Sequence, residues 1–168
     1  MALHVEKTIN VNSPIQKVWQ VIDDFGGVYK YHPIVEKSPM LSENATGLGA
    51  KRRCEFYDNT SVVEEITEYK PSEYLKVKVS EFSMPLKSMT GNMRFKSVDK
   101  TTTAVTIELN FVVKGGPFGW LMGVFMMRPM MKGMVLKVLK SLEYHVITGK
   151  QVGNGLPDKK ELSLALSK

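Results

Sequence analysis

Glu64 is placed where a carboxylate is expensive. It alternates with Val62 and Ile66, so it shares the apolar face of a strand. Burial there costs free energy unless the charge is paired, and a low dielectric raises the pKa. A carboxyl so tuned suits general acid–base work. The plainer reading is a structural ion pair or a strand-edge charge. Arg52 is the best partner candidate. If Asp58-Asn59-Thr60 forms a three-residue loop, then Arg52, Cys54 and Phe56 join Val62, Glu64 and Ile66 on one face. A two-residue turn would put Arg53 opposite Glu64 instead, because a shift of one residue exchanges the faces of a strand. The first register keeps the apolar residues together. Either arginine could grip a ligand carboxylate through two parallel hydrogen bonds, or could be a solvated strand charge.

Three further residue types bear on chemistry. His32, in Tyr31-His32-Pro33, could titrate near neutrality, or could be structural. The lone Cys54 shows no setting that lowers a thiol pKa and reads as a small buried strand residue. The three histidines and one cysteine have no metal-ligand spacing. Gly115-Gly116-Pro117-Phe118-Gly119 lacks the Lys-Ser/Thr of a phosphate loop and the dinucleotide fingerprint, and reads as a turn. No metal or cofactor is therefore expected.

The elements that must hold these residues follow from periodicity. Leu3, Val5, Ile9 and Val11 alternate with polar residues, with Lys7 breaking the apolar face, as in a half-buried strand. Ser13-Pro14 starts a helix, with Ser13 expected as N-cap, and Gly26-Gly27 ends it. A short aromatic segment follows. Strands are expected near 34–42, 50–57, 61–69, 73–82, 88–98 and 102–114, separated by turn residues. Their short connections require an antiparallel meander. Residues 117–149 read as helix, with a kink or break expected near Arg128-Pro129. After the break, Met130, Met131, Met134, Val135, Val138, Leu139, Leu142 and Val146 form an apolar stripe. Trp120 to Met127 is apolar nearly all round, and must meet core, lipid, ligand or a partner. Residues 1–149 make one α+β domain; 150–168 read as a tail.

Composition narrows the classes. A chain of 168 residues fits one core. One cysteine allows no intrachain disulfide, and the first residues lack the apolar run of a secretory signal, so a cytoplasmic setting is expected. No apolar run is long enough to span a bilayer. The net charge of +6 allows contact with an anionic surface, but simple solubility explains it as well. Aromatic residues do not interleave with a basic stripe, so no nucleic-acid partner is expected.

The order strand, helix, short helix, six strands, long helix resembles the START-like or Bet v 1-like (SRPBCC) helix-grip superfamily. Four pieces of text carry the likeness: Ser13-Pro14-Ile15-Gln16-Lys17-Val18-Trp19; Tyr31-His32-Pro33; Gly49 to Phe56 leading into Val62 to Tyr69; and Gly116 to Leu121 through Arg128-Pro129-Met130-Met131. The branch it is most similar to is the polyketide cyclase/dehydrase type, over about residues 3–149. The resemblance implies a seven-stranded curved antiparallel sheet wrapped around the C-terminal helix, with two short helices after the first strand. It also implies a cavity between sheet and helix. Residues expected to line it are Trp19, Tyr31, His32, Phe56, Met89, Met93, Phe111, Met127, Met131 and Met134; methionine adapts to varied apolar shapes.

Three functions remain open at this point. The first is binding or carriage of an apolar lipid or polyketide-like molecule. The second is a cyclase or dehydratase with Glu64 as acid or base and Arg52 or His32 steering an oxygen. The third is a protein-interaction module that uses the apolar helix, a homodimer included.

Overall fold

The computed structural model describes residues 2–166. Strand β1 (Leu3–Val11) leads into α1 (Ile15–Asp23) and a 3-10 helix (Phe25–Lys30). Then come β2 (Val35–Lys37), β3 (Lys51–Phe56), β4 (Ser61–Lys70), β5 (Tyr74–Ser80), β6 (Leu86–Ser97) and β7 (Thr103–Val113). The chain closes with α2 (Gly116–Met122), a π-helical turn (Gly123–Met127), α3 (Arg128–Thr148) and α4 (Lys159–Leu166). All seven strands form one antiparallel sheet in the order β1-β7-β6-β5-β4-β3-β2. This is the α+β helix-grip arrangement, with two short helices after the first strand and a long C-terminal helix.

The pairing register sorts the inward side chains into rows. One row crosses the sheet as Leu3, Phe111, Met89, Val79, Glu64 and Arg52. The next runs Val5, Leu109, Gly91, Val77 and Ile66. A bulge between Ile66 and Glu68 shifts the alternation of β4 by one residue. It brings Tyr69 into a third row with Leu75, Met93, Ile107 and Lys7. Lys7, the interruption in the first strand, thus stands at the end of an otherwise apolar row.

Helix α3 lies along β1 and β7, while α1 reaches β6. Its buried residues Met131, Val135, Val138, Leu139, Leu142 and Val146 form the expected stripe, but Met130 does not belong to it. Met130 is 53 % exposed, because one residue before Met131 it lies about 100° round the helix, off the centre of the buried stripe. A π turn over Gly123–Met127 stands just before Arg128-Pro129, where a kink or break was expected. Arg128 N–H donates to the Gly123 carbonyl, five residues back, so the turn widens. The widening accommodates Pro129, whose ring would crowd the carbonyl of Phe125 in a regular α turn. Gly123 lets this stretch lie close on the sheet: a Cβ there would come within 2.5 Å of Leu3 Cδ1. Gly149 ends α3 in a left-handed conformation, φ 69°.

Two local expectations are corrected. Pro14, not Ser13, occupies the N-cap of α1. Ser13 is drawn into the sheet instead, where its carbonyl accepts from Thr103 Oγ1 at 2.8 Å; its own hydroxyl has no partner among the described residues. The strand expected over 34–42 is short, because Ser38 donates to the Gly26 carbonyl at 2.5 Å and turns the chain toward the 3-10 helix. Beyond Gly149, Val152 is buried and its N–H donates to the Lys30 carbonyl at 2.8 Å.

Candidate functional site

The loop has three residues, but they are Tyr57-Asp58-Asn59 rather than Asp58-Asn59-Thr60, since Phe56 N–H donates to the Thr60 carbonyl at 2.9 Å. The first of the two registers therefore holds, and Arg52 pairs with Glu64. Arg53 points to the other side and meets Glu81 at 2.8 Å. Arg52 donates Nε and Nη2 to one oxygen, Glu64 Oε2, at 2.7 and 2.5 Å. Cys54 Sγ lies 3.5 Å from the same oxygen. Glu64 Oε1 receives no hydrogen bond among the described residues, and 19 % of the side chain is accessible.

The remaining guanidinium nitrogen, Nη1, donates to the Phe25 carbonyl. The Phe25 ring lies 3.8 Å from the guanidinium carbon, a cation–π contact inside the protein. Phe25 is thus a member of the site that sequence reasoning missed. Its contact joins segments far apart in the chain, and no periodicity marks a backbone carbonyl as an acceptor. Another missed cluster links α1 to the sheet: Asp23 Oδ1 accepts from Tyr69 Oη at 2.5 Å and from Thr46 Oγ1 at 2.8 Å.

Electrostatics change the expected roles. Burial by itself pushes the Glu64 carboxyl up. The charge of Arg52 and its hydrogen bonds outweigh this, and the net pKa lies below the ordinary carboxylate range. The raised pKa expected from the sequence is thereby corrected. Burial lowers Arg52 and Glu64 raises it, with a net shift upward, so the pair is a fixed positive and negative charge. His32 is held down to about 4, chiefly by burial, with Glu64 pulling it up and Arg52 pushing it down. It is neutral at physiological pH, and the titration expected near neutrality is corrected. Its Nδ1 accepts from Ile34 N–H at 3.4 Å, which leaves the ring proton on Nε2. Tyr31 is pushed up to about 12 by burial and stays a phenol. Burial likewise raises Cys54, which is 2 % exposed and remains a thiol.

The expected lining residues divide into groups. Met89 and Phe111 share the row of Glu64 and Arg52. Tyr31 and His32 lie within electrostatic reach of that pair. Met93 stands in the third row. Trp19 packs on Tyr69 and Phe95, at ring-centroid distances of 5.5 and 5.3 Å, and is tied to α1 packing rather than to the ion pair. Met127 and Met131 are buried on the sheet side of the last helix, while Met134 and Phe56 are half-buried. An open depression of about 160 Å³ lies elsewhere, lined by Gln20, Val21, Asp24, Gly27, Lys30 and His145. No three His, Cys, Asp or Glu side chains converge to hold a metal among the described residues.

Comparison with known proteins places this chain in a family. The model for polyketide cyclase/dehydrase and lipid transport proteins matches residues 2–146, and the chain belongs to that family. Among solved structures it is similar to TTHA0849 from Thermus thermophilus, at 19 % identity and a TM-score of 0.72, covering 88 % of this chain and 99 % of that one. It is also similar to the Zhui aromatase/cyclase from a Streptomyces species, at 20 % identity and a TM-score of 0.68, covering 90 % and 100 %. A norcoclaurine synthase point mutant from Thalictrum flavum, solved with a transition-state analogue, aligns at 13 % identity and a TM-score of 0.60, covering 83 % and 96 %. At these identities the likeness is one of fold. No curated protein matches the chain.

Proposed function

We propose that residues 1–149 bind and carry an apolar small molecule between the sheet and α3, with 150–168 as an accessory tail. The polar end of the ligand meets Glu64 and His32. The observation that carries this reading is the division of labour within the Glu64 carboxylate. Oε2 is fully engaged by Arg52 and Cys54, whereas Oε1 is a free acceptor at the end of a row of Leu3, Phe111, Met89 and Val79. A few oriented polar groups set among apolar walls suit a small-molecule site.

The same features argue against Glu64 as an acid or base. A carboxylate held ionised by a buried arginine has no proton to give near neutrality and little affinity for one. An enzymatic reading would have to rest on His32 Nε2–H, a neutral donor able to polarise a carbonyl. The likeness to an aromatase/cyclase keeps that second reading in view.

Native mass spectrometry of the purified protein after exposure to lipid extract separates the two. Carriage predicts an unaltered apolar molecule released on denaturation. For a ligand with a hydroxyl head, Glu64→Gln should weaken retention roughly ten-fold, the worth of one hydrogen bond to a charged acceptor. Recovery of a chemically converted molecule, with conversion lost in His32→Asn, would replace carriage by catalysis.

A further inference from the structure

The outer face of the last helical run is apolar and bare. Phe118 is 80 % exposed, Phe125 71 %, Met126 68 % and Met130 53 %, and Leu121 stands with them. These positions recur at helical spacing. They lie opposite Gly119, Gly123, Met127 and Met131, which face the sheet. A row of large apolar side chains in water marks a contact surface.

Charge indicates what it contacts. From Leu109 to Leu142 the chain contains no Asp or Glu, but it contains Lys114, Arg128, Lys132, Lys137 and Lys140. None of these five cations pairs with a carboxylate among the described residues. On the sheet the pattern differs: Lys51, Arg53, Lys76 and Arg94 each meet a glutamate. Arg128 uses only Nε, donating to the His4 carbonyl at 3.1 Å, and its terminal nitrogens have no acceptor among the described residues. A second copy docked on this face about a two-fold axis would bring these unpaired cations toward their own counterparts, which opposes association. A surface that is apolar below and anionic above has the complementary order.

We infer that this helical face, from Phe118 to Met130, docks on the surface of an anionic lipid bilayer, with Lys114, Arg128 and Lys132 at the headgroups. The apolar side chains enter the acyl boundary, and the cations add an attraction that salt screens. No helix among the described residues is long and apolar enough to cross a membrane, so the contact is interfacial. The inference stands on the exterior of the helix and does not depend on what the interior binds.

Flotation of the full chain with vesicles tests it. Vesicles of phosphatidylcholine with about 30 mol % phosphatidylglycerol (an anionic fraction that attracts polybasic surfaces) should carry the protein upward, and pure phosphatidylcholine should carry at least roughly ten-fold less. Raising salt to about 0.5 M should release most of it. The double variant F118S/F125S and, separately, R128S/K132S should each lower partitioning roughly ten-fold or more while keeping the wild-type circular dichroism and Tm. Equal binding to neutral and anionic vesicles would overturn the inference. So would absence of vesicle binding together with a dimer, seen by sedimentation equilibrium, that F118S/F125S dissolves.

Discussion

Burial keeps His32 uncharged in the folded chain down to about pH 4, whereas its ordinary value is 6.5. The unfolded chain therefore binds a proton between those limits that the folded chain refuses, and stability falls as the solution is acidified through that window. The difference is worth about 3 kcal/mol at its full extent. Glu64 acts lower: its depressed folded pKa gives stability that is present above the ordinary carboxylate value of 4.5 and lost as pH falls through the folded pKa. Urea unfolding between pH 7 and 5 should thus show a downward slope that His32→Asn reduces, since the asparagine amide takes no proton. A slope unchanged in His32→Asn would mean that the imidazole reaches water. The sequence marked Glu64, Arg52 and His32 as a group, because alternation and the apolar face are visible in text. The protonation states were not visible. They depend on which oxygen Arg52 chooses and on the Phe25 carbonyl and ring, contacts made only when distant segments meet.

At the scale of elements, alternation gave the strands and turn residues gave the meander, since both are local. The register of the β3–β4 hairpin stayed open in the text because it depends on one residue of loop length. The π turn was out of reach for a similar reason. Pro129 announces a disturbance in the helix, but whether the chain breaks or widens depends on what lies beneath. Here Gly123 permits close approach to Leu3 and Val113, and packing holds the helix continuous through the turn. Within α3, helical spacing separates two neighbouring methionines. Met131 is 6 % exposed and Met130 is 53 % exposed. Met131→Ala should destabilise by about 2–5 kcal/mol, the cost of a cavity in a packed core. Met130→Ala should stay within about 0.5 kcal/mol. Comparable denaturation midpoints for the two variants would show that α3 does not present the Met131 face to the sheet in solution.

Across the whole molecule, the helix and the sheet do not cover one another evenly. Helix α3 follows β1 and β7, at one edge of the sheet. In the inward rows Met89 and Met93 on β6, Leu109 on β7 and Glu64 on β4 are part-buried, while Val77, Val79 and Ile66 between them are buried. The ligand proposed above would complete the part-buried positions at Met89, Met93 and Glu64. Binding there adds apolar contacts to the native state alone and raises stability with ligand concentration. An uncharged apolar reporter such as N-phenyl-1-naphthylamine, at about a hundred times its dissociation constant, should stabilise the chain by about 2.7 kcal/mol. For a domain of this size that is a rise in Tm of roughly 5–10 °C. Met89→Trp puts an indole into the row beside Glu64, and should abolish the rise together with the fluorescence of the bound dye. A dye that raises Tm equally in wild type and Met89→Trp binds elsewhere, on the exposed helix or in the depression beside His145, and the interior would then be no binding site.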